Sequence, residues 1–156
     1  MFEKVLVCLD GSAHGEGILS HIAGESKSIG KVILVKVLAP PELNLPIGIP
    51  GETLAPVSTS ARLQHFQKEL EEAPAYLELK AQYLRGAGLD AEAVVLQGVP
   101  SQAIIEYAHD NGVTLIAIGT HGHSGFRNIT LGSTAEYVLR HSGLPVLLIS
   151  PQRQAK

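Results

Sequence analysis

Cysteine and tryptophan are almost absent from this sequence. Cys8 is the single cysteine, there is no tryptophan, and aromatic residues make up only 4% of the 156 residues. One thiol excludes an intramolecular disulfide and any zinc site built on several cysteines, and its apolar surroundings predict that it packs as a small hydrophobe. With 45% hydrophobic and 17% charged residues, the chain is expected to fold as a globular protein with an aliphatic core.

The sequence also lacks an excess of positive charge and a long hydrophobic run. The formal net charge of −3 gives no general attraction to nucleic acid or anionic lipid. No apolar run approaches the ~18 residues that span a bilayer, and Glu3, Lys4 and Asp10 interrupt any signal-peptide core. We therefore expect a soluble, cytoplasmic protein of one domain over residues 1–156, without nucleic acid or membrane as partners.

Five short runs rich in valine, isoleucine and leucine predict β-strands. They are nearly continuous in hydrophobicity, which is typical of strands buried on both faces of a sheet. The runs are KVLVCLD (4–10), KVILVKVL (31–38), AEAVVLQ (91–97), VTLIAIG (113–119) and PVLLIS (145–150).

Four segments with helical spacing separate these runs. The first carries Ile18, Leu19 and Ile22 but also several glycines. The second extends from Leu63 to Leu84, and Pro74 is expected to kink or split it. The third starts at Pro100 and stops at Gly112, and the last follows Gly132 and ends at Gly143. Strict alternation of strand and helix predicts an α/β fold with a mostly parallel sheet of five strands and helices on both faces. Residues 39–57 are rich in proline and predict a long loop, either a surface connector or a lid over a ligand.

The segment GTHGHSGFRNITLGST (119–134) stands where the fourth strand is expected to end. In an open parallel sheet, ligands bind beyond the carboxyl ends of the strands. The backbone amides of this glycine-rich segment, together with the start of the helix after Gly132, are expected to form an anion site there, and phosphate is the expected ligand. The P-loop pattern is absent, and the dinucleotide-binding pattern fails because Ser20 stands where a third glycine is needed.

The spacing Gly119-x2-Gly122-x9-Gly132-Ser133 resembles the nucleotide-binding motif G-x2-G-x9-G-[ST] of the universal stress protein family. Asp10 at the end of the first strand and the segment QGVPSQAIIEYAHDNGVTLIAIGTHG also resemble that family, and the likeness covers nearly the whole chain. The resemblance implies a Rossmann-like, doubly wound five-stranded sheet of order 3-2-1-4-5 in a homodimer. It also implies ATP or another adenine nucleotide in a cleft between the first and fourth strands.

The resemblance also implies a role for each matching position. Leu9 and Asp10 would lie against the adenosine, with Asp10 alternatively holding Mg²⁺ or capping the first helix, and Val37 would contact adenine. Gly119 and Gly122 would admit the ribose and phosphates. Gly132, Ser133 and Thr134 would donate N–H and hydroxyl groups to the phosphate tail, and Ser133 is expected to cap the last helix as well. The expected site also includes Thr120, His121 near the ribose or phosphates, and Arg127 near the phosphates or in solvent.

Three functional classes remain open at this stage. The favoured class is a regulatory protein that binds ATP, because the glycine-rich segment lacks lysine and offers little besides Arg127 to stabilise a phosphoryl-transfer transition state. The alternatives are a slow ATPase or nucleotidyl-transferring enzyme, and a dimeric module that needs no nucleotide. A metal site at His121 and His123 is disfavoured because no cysteine or suitable carboxylate completes it. The apolar run 145–150 is expected at a sheet edge, where pairing with a second copy would cover it.

Overall fold

The computed structural model describes residues 2–10, 13–41, 59–119 and 132–149. Every predicted strand and helix is present within these ranges. The elements are β1 (Phe2–Cys8), α1 (Ala13–Gly24), β2 (Ile29–Leu38), α2 (Thr59–Gly86), β3 (Asp90–Gln97), α3 (Pro100–Asp110), β4 (Leu115–Gly119), α4 (Ser133–His141) and β5 (Val146–Ile149), with a short 3-10 turn at Ser26–Ser28. Of the predicted loop at 39–57, residues 42–57 lie outside the described ranges.

The five strands form one parallel sheet in the order β3-β2-β1-β4-β5, which confirms the predicted topology. Strands β1, β2 and β4 contribute fully buried side chains, as their continuous apolar runs predict. The prediction of burial on both faces is wrong for β3 and β5, which are half-exposed. Both are edge strands of the described sheet, in which each has a neighbouring strand on one side only.

The core divides into two layers, one on each face of the sheet. Helices α1 and α2 pack on one face around Ile18, Leu34 and Leu77, all with no measurable exposure. Helices α3 and α4 pack on the opposite face, where Ile104 and Val138 meet the sheet. The two faces of the sheet are therefore covered by different pairs of helices with different core side chains.

We predicted that Pro74 kinks or splits its helix. Helix α2 continues through Pro74, so the split is wrong, while the kink stays a prediction. Proline removes one backbone hydrogen bond in a helix interior, typically at a cost of about 3 kcal/mol. Pro74 itself is exposed, while Leu77 and Ala81 on the inner face of the helix are buried against the sheet. Burial of that inner face outweighs the missing bond.

Hydrogen bonds at the amino edge of the sheet hold β1 and β4 in register. The Thr114 backbone amide donates to the Lys4 carbonyl at 2.8 Å, and the Thr114 hydroxyl donates to the same carbonyl at 3.0 Å. The Lys4 ammonium reaches the Asn111 carbonyl at 2.7 Å. These contacts fix the relative position of the two strands whose opposite ends flank the site.

Candidate functional site

A cleft of about 220 Å³ opens at the carboxyl ends of β1 and β4, where the strand order reverses. This is the switch point at which open α/β sheets bind ligands. The cleft brings together all of the sequence-predicted site residues that lie within the described ranges. These are Leu9, Asp10, Val37, Gly119, Gly132, Ser133 and Thr134.

The floor of the cleft is a row of side chains across three strands. Cys8 of β1 is in register with Val35 of β2 on one side and with Ile118 of β4 on the other. All three pack in the layer under α3 and α4, and Val35 is fully buried beneath the surface of the cleft. Val37, two residues further along β2, continues the apolar surface. The floor is therefore hydrocarbon with one thiol in its middle.

Helix α3 supplies a wall that the sequence analysis missed. Pro100 and Ile104, one turn apart, both line the cleft, and Ile104 is only 3% exposed. The connection from β3 to β4 must cross over β2 and β1, so its helix has to cover the switch point. The predicted strand order already contains this crossover, so it could have indicated that α3 lines the cleft.

The amino end of α4 forms the opposite, polar side of the cleft. Gly132 is the N-cap, with extended dihedrals of φ −60° and ψ 154°, and it makes no side-chain capping bond. The expectation that Ser133 caps this helix is wrong, because Ser133 already lies in the first turn. The first intrahelical bond runs from the Glu136 amide to the Gly132 carbonyl at 3.0 Å. The backbone amides of residues 133–135, which precede Glu136, have no acceptor within the helix and can therefore bind an anion.

Charge in the described lining is negative. Asp10 is the one charged side chain among the lining residues, it is exposed, and it already takes part in an interaction within the protein. Glu136 in the first turn of α4 pairs with Arg140 at 2.9 Å on the exposed helix surface. No group of three potential metal-ligating side chains occurs in the described part of the chain. The positive potential there comes from the α4 backbone.

Cys8 is held as a neutral thiol at physiological pH. Burial raises the pKa of its thiol to about 12. Desolvation disfavours the thiolate and no described cation lines the cleft to offset it. The floor of the cleft is consequently uncharged, and Cys8 is a poor nucleophile there.

This pKa predicts a stability change at alkaline pH. An unfolded cysteine ionises near pH 8.5, whereas the folded protein keeps the proton to about pH 12, so between these values the unfolded state binds fewer protons. Stability should then fall with rising pH by up to about 1.4 kcal/mol per unit. We expect urea unfolding between pH 8 and 10.5 to show a steeper decline for the native protein than for Cys8→Ala. Parallel curves would contradict the assignment.

Four expected site residues, Thr120, His121, Gly122 and Arg127, lie outside the described ranges, as does His123. Their predicted roles stay predictions. Of the helices that the structure describes, none has both the length and the apolar character to cross a bilayer.

Comparison with known proteins identifies the family. Residues 1–150 match the sequence profile of the Universal stress protein family. Universal stress protein MJ0577 from Methanocaldococcus jannaschii is 29% identical over 161 residues, covering 96% of this chain and 95% of that protein. Universal stress protein Slr1230 from Synechocystis is 35% identical, covering 92% of this chain and 41% of that protein. The chain belongs to the universal stress protein family.

Solved structures show the same fold. The structure of MJ0577 matches with a TM-score of 0.76 and 26% identity over 99% of both chains. A universal stress protein in complex with cAMP matches at 0.64 and 21% identity, covering 97% of this chain and 98% of that one. A family protein from Arabidopsis thaliana with AMP bound matches at 0.62 and 15% identity, covering 96% and 92%.

Proposed function

We propose that this chain binds ATP, or another adenine nucleotide, in the cleft at the carboxyl ends of β1 and β4, and acts as a nucleotide-dependent regulatory switch in the cytoplasm. The observation that carries the proposal is the convergence of seven predicted positions, from Leu9 to Thr134, on one cleft. These positions come from four separate elements or their ends, and their meeting supports a common ligand.

The two ends of the cleft differ in chemistry, which suits the two ends of a nucleotide. Val37, Pro100 and Ile104 form an apolar end that suits a base, while Gly132 and Ser133 at the start of α4 suit phosphate oxygens. Two proteins of the same fold hold cAMP and AMP, which supports an adenine nucleotide as the ligand.

We propose Mg²⁺ as a companion of ATP in this site. The described lining contributes one carboxylate, Asp10, and no lysine or arginine. A triphosphate would meet repulsion from Asp10 unless a divalent cation neutralised part of its charge, and carboxylate, phosphate and water oxygens are the ligands that Mg²⁺ prefers.

Binding is proposed in preference to rapid turnover. The side chains that line the described part of the cleft are mostly apolar, and the Cys8 thiol stays protonated because burial raises its pKa. Fast phosphoryl transfer depends on cations and an activated nucleophile held at the transferring group. A regulatory role needs only a difference in shape between the occupied and empty states.

We also propose that two copies associate through the strand 145–150. Within the described sheet, β5 pairs with β4 alone. A hydrogen bond fixes the register of β5 against β4: the Ile116 amide donates to the Pro145 carbonyl at 3.0 Å. Period-2 alternation then directs the backbone groups of Val146 and Leu148 to the outer edge, where a second β5 can pair with them.

Isothermal titration calorimetry with ATP, ADP, AMP and cAMP, with and without Mg²⁺, tests the nucleotide proposal. We expect micromolar binding that Gly132→Val weakens at least tenfold, or about 1.4 kcal/mol. Valine tolerates the extended dihedrals of Gly132, so the loss would come from side-chain bulk in the cleft and not from backbone strain.

Gly24→Val is the matched control. Gly24 ends α1 at the opposite edge of the sheet, and a Cβ there has no neighbouring atom within 4 Å. This variant should bind nucleotide like the native protein. Equal affinity of both variants, or no heat with any nucleotide, would contradict the proposal.

A further inference from the structure

Strand β3 lies at the edge of the described sheet opposite β5, and it pairs with β2 alone. The Gly98 amide, directly after β3, donates to the Leu38 carbonyl of β2 at 3.1 Å. Backbone direction alternates along a strand, and the register of this pair is continuous, so the even-numbered residues of β3 face β2. The residues that present their amides and carbonyls to the outer side are therefore Ala91, Ala93, Val95 and Gln97.

Arg85 of α2 closes the amino end of this edge. Its Nε donates to the Ala91 carbonyl at 2.9 Å, which agrees with the outward direction of that residue. Charged side chains at sheet edges oppose strand pairing. Beyond Arg85, the residues Ala93, Val95 and Gln97 each offer one N–H and one C=O on the outer side. This stretch has room for an added strand of about five residues.

The flank of α2 that lies over the β3 edge carries carboxylates. Glu71, Glu78 and Arg85 are spaced seven residues apart, so they share the side of α2 from which Arg85 reaches β3. Glu78 pairs with Arg85, whereas Glu71 is exposed. Helix α2 runs antiparallel to the strands that it connects, and two helical turns cover about 10 Å. Glu78 and then Glu71 therefore follow Arg85 towards the carboxyl end of β3.

Carboxylates also flank this edge on the opposite face of the sheet. Glu92 pairs with Lys31 of β2 at 2.8 Å, and Asp90 is exposed at the start of β3. Four carboxylates thus accompany two cations along the edge of β3. The edge carries an excess of negative charge.

Two neighbouring lysines do not offset this charge. The ammonium groups of Lys36 and Lys80 lie over the Tyr76 ring, at 5.3 and 5.5 Å from its centre. Tyr76 precedes Arg85 by nine residues, which is about half a turn around the helix and places it on the other flank of α2. The negative charge at the β3 edge therefore remains exposed to a partner.

We propose that the outer edge of β3, from Ala93 to Gln97, binds an extended basic segment of another protein as an added strand. Backbone hydrogen bonds would hold the segment, and its lysine or arginine side chains would contact Glu71 and Glu78. A second copy of this chain fits less well, because two β3 strands side by side would bring like charges together. The inference goes beyond the proposed nucleotide function and does not depend on it.

An NMR titration of the ¹⁵N-labelled protein with the peptide acetyl-KVKVK-amide tests the proposal. We expect the shift changes to concentrate on the amides of residues 93–97, and the affinity to fall with added salt. Two peptides serve as controls. The acidic peptide acetyl-EVEVE-amide lacks the complementary charge, and a KVKVK peptide with every backbone amide N-methylated keeps the charge but cannot extend a sheet. Neither should bind comparably.

Three protein variants separate the backbone from the charge. Val95→Pro removes an outward N–H that makes no bond to β2, a position where an edge strand tolerates proline. Glu71→Lys reverses an exposed charge. Both should weaken KVKVK binding about tenfold or more, and thermal unfolding verifies that they are folded. Glu25→Lys makes the same charge change beside Leu147 at the opposite edge of the sheet, and it should bind like the native protein.

Each contrary outcome is distinct. Equal binding of the N-methylated peptide would show attraction by charge without strand addition, and equal binding of EVEVE would remove the role of the carboxylates. Shift changes that avoid residues 93–97, or no response to KVKVK at millimolar concentration, would overturn the proposal. If Val95→Pro does not fold, unchanged affinity in Glu71→Lys would still contradict it. Concentration-dependent changes at residues 93–97 without peptide would make a second copy the occupant.

Discussion

Leu147→Lys is expected to dissociate the proposed dimer into monomers, with the dimer dissociation constant rising about a hundredfold or more, as for a central interface residue. Leu147 is 38% exposed on the outermost strand, and it lines an apolar groove of about 350 Å³ together with Phe2 and Ile149. Two lysines facing each other across a symmetric contact would repel, and charged residues at sheet edges oppose strand pairing. Light scattering after size exclusion across a concentration series measures the effect.

Leu79→Lys is the control for this change. Leu79 is 65% exposed on α2, so the substitution removes at least as much accessible apolar surface at a position away from β5. It should leave the association constant unchanged. A native protein that is monomeric at micromolar concentration, or an association constant that Leu147→Lys leaves intact, would exclude association through β5.

Gly30→Ala is expected to lower the free energy of unfolding by about 1–3 kcal/mol, the usual cost of inserting atoms into a packed site. A Cβ at Gly30 would stand 2.6 Å from the Glu3 carbonyl oxygen of the neighbouring strand. Real Cβ atoms do not approach so closely, so β1 and β2 would have to move apart where their pairing begins, near Phe2 and Ile29. Urea unfolding measures the loss.

Gly24→Ala serves as the comparison because its new methyl group meets no atom within 4 Å. Replacing this helical glycine by alanine should be neutral or slightly stabilising, by up to about 1 kcal/mol. Equal stability of the two alanine variants would show that the strands accommodate a side chain at position 30, contrary to the close approach.

The fold was largely predictable because the decisive signals are local. Continuous apolar runs marked the strands, and spaced apolar residues such as Leu77 and Leu84 marked the helices, even where Pro74 argued for an interruption. Burial of the edge strands was overestimated because hydrophobicity along a strand does not report how many neighbours it has. The need for glycine at position 30 depends on Glu3 in another strand, a contact that no local pattern contains.

The lining of the cleft was predictable where the family resemblance assigns a residue to it. The spacing of Gly119, Gly132 and Ser133 indicated the start of α4, and the resemblance added Leu9, Asp10 and Val37. Pro100 and Ile104 were missed as lining residues because only the crossover of α3 brings them to the cleft. The role of Ser133 as a cap was misjudged by one residue, since cap geometry depends on the dihedrals of Gly132.

The two-layer core has a practical consequence for engineering this protein. Most side chains of the cleft belong to the layer under α3 and α4, including Val37, Ile104 and Ala135, whereas α1 and α2 cover the reverse side of the sheet. Leu9 lines the cleft although it packs in the α1 and α2 layer, but other substitutions in that layer can change thermal stability without altering the lining of the cleft. A library of repacked residues around Leu77 and Leu84 would be a suitable starting point for a more thermostable variant with an unchanged cleft.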